Sequence, residues 1–312
     1  MKVADFQRLV EQVSQLTGEQ RTALAKVLAG RGEAGETTAL IEARFAEKAT
    51  CPHCQGEGQK WGFAAGLRRY RCRTCKKSFN ALTKTPLAFL KKRDKLAAYG
   101  QAMVDGLSLR KAAKRVGIDL TTAFDWRHRL LKMPAKAKPA KLQGVVEADE
   151  TYFLESKKGK RKLDRKARKR GGKASKRGLS DEQIPVMVTR DRSGATLTEV
   201  LPEVTTASIT KVLDPVVAKD AALVSDGEKA YRAFANATDR LHIALIASAG
   251  ERTWGTYHIQ NVNAYTSGLK GWIARFKGVA TEYLPNYLGW HRRLEREGEA
   301  FTRMSCVAAA LA

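Results

Sequence analysis

Along the chain, apolar positions change period near residue 144. Before it the spacing is helical. Phe6, Leu9, Val10, Val13 and Leu16 recur every three to four residues, the spacing of one helix face. Thr17-Gly18-Glu19-Gln20 reads as a break and restart, because Thr three residues before Gln forms a capping box, and a second helix is expected through Leu28. Residues 88–133 are helical again, and Pro134 and Pro139 among lysines and alanines mark a linker. From Gly144 the pattern is that of strands. Val145–Leu154 comes first, and Ile184–Arg190 and Ala195–Leu201 flank the turn Asp191-Arg192-Ser193-Gly194. A helix over Thr205–Ala218, a strand over Ala221–Ser225, a helix over Glu228–Ala237, a strand over Leu241–Ile246 and a long amphipathic helix over Tyr257–Phe276 follow. The order β-β-β-α-β-α-β-α predicts a mixed α/β layer domain.

Charge divides the same chain differently. Its 312 residues carry 57 Lys and Arg against 32 Asp and Glu, a net +25. Residues 49–141 hold 22 basic and 5 acidic side chains, residues 142–156 hold 4 acidic and no basic ones, and residues 157–177 hold 13 basic and 1 acidic. The remainder is neutral. Two basic blocks around an acidic strand favour a polyphosphate partner, nucleic acid, over a small molecule. No run of ~18 apolar residues offers a membrane span, and the N-terminus has no apolar core of a signal peptide. The expectation is a cytoplasmic, nucleoid-associated protein with no membrane partner.

Four of the five cysteines form Cys51-Pro-His-Cys54 and Cys72-Arg-Thr-Cys75, with 17 residues between the pairs. This is zinc-ribbon spacing, in which Cys51, Cys54, Cys72 and Cys75 close a tetrahedron around one structural Zn2+. Arg68, Arg69, Arg71, Arg73, Lys76 and Lys77 crowd the same small module and are candidate phosphate contacts. Leu107–Leu130 has the form of a helix-turn-helix. Ala112 and Ala113 permit a close crossing, Gly117 makes the turn, Asp119 or Thr121 caps the second helix, and Phe124, Trp126 and Leu130 suit its packing side. Arg110, Thr121, Thr122, Asp125, Arg127 and Arg129 are then candidates to face DNA.

Glu147-Ala-Asp149-Glu150-Thr-Tyr places carboxylates inside an apolar strand, which is costly unless a cation is bound there. Asp226 ends another short strand before a Gly turn. Asp149 shares a side of its strand with Glu147, and Glu150 takes the opposite one. Two strand carboxylates at the edge of a sheet suit a pair of Mg2+ ions in phosphodiester chemistry, with Mn2+ as a substitute. Asn263 and Lys270 lie seven apart, on one face of the last helix. Lys157, Lys158, Arg161, Arg168 and Arg170, in the basic stretch 156–178, read as a loop able to grip DNA beside this site.

The order of zinc ribbon, helix-turn-helix, Val-Glu-Ala-Asp-Glu-Thr-Tyr, Ser-Asp-Gly-x-x-Ala-Tyr and His-x4-Asn-x6-Lys resembles bacterial insertion-sequence transposases of the ISXO-like group. The resemblance covers residues 49–295. It implies an RNase-H-like catalytic domain with a mixed sheet, preceded by a zinc ribbon and an all-α helix-turn-helix module. Asp149 and Asp226 would be the catalytic aspartates. Asn263 stands where Glu is usual, and Lys270 accompanies it. The implied activity is cleavage at terminal inverted repeats and strand transfer of the 3′-hydroxyl to target DNA, by a homodimer or a larger synaptic assembly. The expected division is a helical segment 1–48, ribbon 49–82, helix-turn-helix 83–133, linker 134–143, catalytic domain 144–295 and tail 296–312. A DNA-binding regulator with an inactive catalytic domain and a junction-type nuclease are the alternatives.

Overall fold

The computed structural model describes residues 3–168, 171–172, 174–175 and 180–311. They form two compact units. Residues Met1–Leu130 and Thr302–Ala312 make one, and Leu131–Phe301 the other. Among the described residues no helix is long and apolar enough to cross a membrane.

In the first unit, α1 (Val3–Ser14) is followed by α2 (Gly18–Ala43). Thr17 and Gln20 form the expected capping box, but α2 runs well past Leu28. Its last turns are held by packing rather than by pattern: Thr37 and Ile41 are buried, and Glu42 accepts the Arg68 N–H at 2.7 Å. The ribbon comprises β1 (Gly58–Ala64), β2 (Leu67–Cys72) and β3 (Ser78–Phe79), antiparallel in that order. Phe45 packs edge-on against the stacked Tyr70 and Phe79 rings and closes its small core.

Three helices follow, α3 (Leu96–Val104), α4 (Leu109–Val116) and α5 (Leu120–Lys136). Gly117 ends α4 with φ +67°, a conformation that suits glycine. The next N–H, of Ile118, reaches back to Ala113 O at 3.1 Å. Asp119 then caps α5 by accepting the Thr121 N–H at 2.7 Å. Ala112 and Ala113 are buried at the crossing, and Trp126 and Leu130 fill the core. Phe124 does not join them and is 37% exposed. Pro134 does not end α5, which continues into the expected linker as far as Lys136.

The second unit is built on a five-stranded sheet in the order β6-β5-β4-β7-β8. Its strands are β4 (Val145–Leu154), β5 (Gln183–Asp191), β6 (Thr196–Val200), β7 (Ala222–Ser225) and β8 (His242–Ala244). The first three are antiparallel, while β7 runs parallel to β4 and β8 parallel to β7. This is the RNase-H-like mixed sheet. Helices α6 (Thr206–Leu213) and α7 (Lys229–Ala237) cover one face over Val146, Ala148, Met187, Leu197 and Leu223. Helices α8 (Gln260–Ala274) and α9 (Leu284–Glu297) lie against the strands from the other side. The segment read as a tail carries a last helix, α10 (Arg303–Ala308), which packs on α3 in the first unit.

Candidate metal centres and nucleic-acid interface

The two cysteine pairs fold into matching knuckles. In the first, the Gln55 N–H bonds Cys51 O at 2.9 Å and the Cys51 N–H bonds Gly56 O at 2.8 Å. In the second, Lys76 N–H bonds Cys72 O at 3.1 Å and Cys72 N–H bonds Lys77 O at 2.9 Å. Gln55 and Lys76 both take positive φ, +64° and +61°, to turn the chain at the same point. The four sulfurs lie within 4.8 Å of one another, with Cys51 and Cys75 Sγ 3.7 Å apart and Cys54 and Cys72 Sγ 3.4 Å apart. A tetrahedron with Zn–S bonds of ~2.3 Å has S···S edges of ~3.8 Å, so the thiol set fits that ion. Burial raises the Cys72 thiol, but the Cys75 amide and the Cys54 thiol outweigh it and bring Cys72 down to about 6. That favours the thiolate a metal requires.

Around this centre Arg73, Lys76 and Lys77 are exposed, and Arg68, Arg69 and Arg71 are half-buried. Arg68 lies over the Phe63 ring at 3.9 Å and Arg71 over Trp61 at 4.9 Å, and Arg69 donates to Ser78 Oγ at 3.2 Å. Arg73 pairs with Glu57 at 3.5 Å.

On α5, Thr121 is exposed and Thr122 half-buried, and Arg110 is exposed on α4. Arg127 is not on this surface. It has no exposed area, and its Nη2 donates to Leu107 O at 2.7 Å. Ala123, Trp126, Arg127 and Leu130 stand at i, i+3, i+4 and i+7, so Arg127 belongs to the buried stripe despite its charge. Arg129 is also engaged within the unit, donating to Ala88 O at 2.9 Å and pairing with Asp125 at 2.7 Å.

The acidic residues meet where β7 ends beside the middle of β4. Parallel β4 and β7 pair Glu147 with Val224. The same register two residues further on sets Asp149 beside Asp226, which is exposed just past the end of β7. Burial first, and neighbouring Asp226 with it, lift the Asp149 carboxyl to about 6, against the Glu150 amide and Lys270, which pull the other way. A half-buried carboxyl raised by a neighbouring carboxylate is an oxygen donor that a hard divalent cation would relieve, so the pair fits Mg2+. Glu150 takes the opposite face, accepts the Tyr231 hydroxyl of α7, and is lifted to about 7, first by burial.

Glu147, which the sequence placed only by alternation, is fully buried on the Asp149 side. Its carboxylate accepts the Val262 N–H at 3.0 Å and the Asn261 amide at 2.9 Å, and pairs with Arg192 at 3.3 Å. These bonds fix the first turn of α8 to β4. Asn263 follows directly and is exposed, as is Lys270 two turns on, while Val262, Tyr265 and Leu269 are buried beneath them. A buried Glu facing a helix start had a sequence signal only in hindsight, in the Glu-x-Asp alternation.

The basic stretch differs from a free clamp. Lys157 pairs with Glu155 and Asp164, Lys158 donates to Gly278 O at 2.7 Å, and Arg165 and Arg168 converge on Glu155, with Arg168 also reaching Glu182 at 3.3 Å. Local carboxylates and carbonyls therefore occupy Lys157, Lys158 and Arg168, whereas Arg161 is exposed. Arg170 lies outside the described residues.

Residues 141–290 match the ISXO2-like transposase domain, and residues 33–78 match the transposase zinc-ribbon domain. No curated protein matches the chain. Among solved structures it is distantly similar to the simian T-cell lymphotropic virus intasome in complex with a PP2A regulatory subunit, at 11% identity, covering 63% of this chain and 67% of that one, with a TM-score of 0.30. The Mos1 transposase paired-end complex is similar at 14% identity, with coverages of 69% and 78% and a TM-score of 0.24. For the Mos1 strand transfer complex the values are 15%, 69%, 78% and 0.23.

Proposed function

Taking the chain as what these two domains make it, a member of the ISXO2-like transposases, we propose that it binds the ends of its own element, cleaves DNA there by metal-dependent hydrolysis and joins the freed 3′-hydroxyl to target DNA. The observation that carries this reading is the β4–β7 register, which sets Asp149, in the middle of β4, beside Asp226, just past the end of β7. Asp149 and Asp226, with Asn263 of α8, are the residues that would hold Mg2+ or Mn2+. A bound pair of such ions activates water and neutralises charge on the phosphoryl group undergoing displacement.

The chain's own groups do the rest. The exposed Lys270 ammonium favours the ionised form of Asp149 and offers a partner for the DNA backbone next to the reacting phosphate. Glu147 keeps α8, and so Asn263 and Lys270, in register with the catalytic strand. Because each step exchanges one phosphodiester or water oxygen for another, no ATP and no covalent enzyme intermediate are needed. In the first unit, Thr121 and Thr122 on α5, Arg110 on α4 and the ribbon's Lys76 and Lys77 are side chains that would meet DNA, with Arg73 beside its partner Glu57. The four ribbon cysteines would hold one structural zinc. Two ends must be joined in one event, which calls for at least two copies.

The test is an end-bearing duplex with Mg2+ or Mn2+. Asp149→Asn and Asp226→Asn should each abolish cleavage and joining while leaving end binding intact. Normal cleavage by either variant overturns the reading. Metal analysis should find one zinc per chain, lost in Cys72→Ser; a zinc-free chain with unchanged folding removes the ribbon assignment.

A further inference from the structure

The segment between the ribbon and α3 holds an aromatic side chain in an unexpected state. Phe89 is 97% exposed, and its φ is +59°. A left-handed backbone is unfavourable for a bulky residue, and a fully solvated phenyl ring contributes no burial within the chain. Neither feature is explained by the fold of the unit itself.

The surroundings show that the ring is held out by a rigid frame. Leu87 and Leu90, on either side, are both buried. The Ala88 N–H bonds Thr85 O at 3.1 Å and the Leu90 N–H bonds Leu87 O at 3.3 Å. The carbonyl of Ala88, in the peptide unit joined to Phe89, accepts Arg129 of α5 at 2.9 Å. Arg129 is braced in turn by Asp125 on the exposed side of that helix. One side chain therefore couples the aromatic tip to the candidate recognition helix.

The frame is also basic. Lys84, Lys91 and Lys92 of the same segment are exposed. Arg93 donates to Ala65 O at the tip of the β1–β2 hairpin, where Phe63 is 66% exposed beneath Arg68. A solvated ring flanked by lysines suits a polyanion with an apolar interior better than an apolar protein surface, and duplex DNA has both properties.

We propose that Phe89 is an apolar wedge that enters between base pairs of the bound duplex and kinks it beside α5, with Lys84, Lys91 and Lys92 holding the phosphates on either side. This rests on the reading of the chain as a DNA-end-binding transposase and adds to it a side chain that deforms DNA.

The experiment uses the full zinc-loaded chain and a short duplex taken from the DNA flanking its gene, labelled at both ends so that energy transfer reports bending. The wild type should bind and raise the transfer. Phe89→Ala should lose the bend and bind ~10-fold more weakly with the same salt slope, because no charge is removed. Phe89→Leu should restore most of the bend, and thermal unfolding of both variants should match the wild type. Lys91→Ala with Lys92→Ala should lower the salt slope by ~2. If Phe89→Ala binds and bends DNA as the wild type does, the wedge is wrong and the transposase reading stands. If Phe89→Ala instead loses self-association while bending persists, the ring faces a second protein chain and the proposal is overturned. If the wild type binds no DNA, the wedge falls with the reading beneath it.

Discussion

Glu147 and His291 show how buried polar side chains set the behaviour of the second unit. Glu147 accepts from the first turn of α8 and from Asn261 while paired with Arg192. In Glu147→Gln an amide nitrogen replaces one acceptor and the Arg192 charge loses its partner. The expected loss is ~3 kcal/mol of stability in this unit, with DNA binding retained and the turnover rate lowered, read by denaturant unfolding beside single-turnover cleavage. His291 is pressed between Tyr265 and Trp272. Burial pushes its imidazole down to about 4, with Arg275 and Arg190 adding to this and Glu295 opposing it. Folded, it is neutral; unfolded, it regains a proton near pH ~6.5. Its contribution is therefore complete above pH ~6.5 and is lost as pH falls toward 4. His291→Phe should be ~2 kcal/mol more stable than wild type at pH ~5 and equal to it at pH ~8. A variant whose pH profile parallels the wild type would exclude this account. At this scale the cysteines, Asp149 and Asp226 were legible because each is a residue type out of place in its pattern. Arg127 was misread because its charge was weighed above its position in the Ala123-Trp126-Leu130 stripe, and Phe124 for the converse reason.

Between elements, close approaches decide what local pattern cannot. Gly289 of α9 meets the end of α5 in the second unit: a Cβ built there would lie 2.5 Å from Pro134 O and 2.7 Å from Ala135 Cα. Both obstacles are backbone, so neither can swing aside. Gly289→Ala should cost ~2 kcal/mol or more by forcing the two helices apart, and a drop in the unfolding temperature of this unit checks it; an unchanged value would mean that the helices separate freely. The same contact explains a misread boundary. Pro134 marked a linker by residue type, yet it lies within α5, where Arg292 donates to its carbonyl at 3.2 Å. The ten residues of β4 were legible from alternation, including the opposite facing of Glu147 and Glu150. The restraint of the basic stretch was not, because Glu155 and Glu182, which bind Arg168 from both ends, are ordinary acidic residues until the fold brings them together.

At the scale of the whole chain, the net charge no longer maps DNA uniformly. The block 157–177 spends part of its charge on Glu155, Asp164 and Glu182, whereas the exposed lysines around the ribbon and Phe89 remain open to solvent. Chain order does not follow unit order either. The first unit is assembled from residues up to Leu130 and from Thr302 onward. In α10 and just after it, Cys306, Val307, Ala310 and Leu311 are buried, with Cys306 Sγ 3.8 Å from the Met103 sulfur. The backbone of Arg303 comes so near Gly100 that a Cβ there would meet its carbonyl at 2.7 Å. These residues read as a tail because six helical residues shortly after Gly298 carry too little periodicity to announce a core. A chain ending at Phe301 should leave Met103 and Gly100 of α3 uncovered and lose ~3 kcal/mol or more from the first unit. Zinc bound to that unit should then be released at lower denaturant, while the second unit, whose residues are all present, unfolds as before. Adding a peptide of residues 302–311 should recover part of the loss. Equal stability of the truncated and complete chains in zinc-release and unfolding measurements would show that α10 is dispensable to the unit it completes.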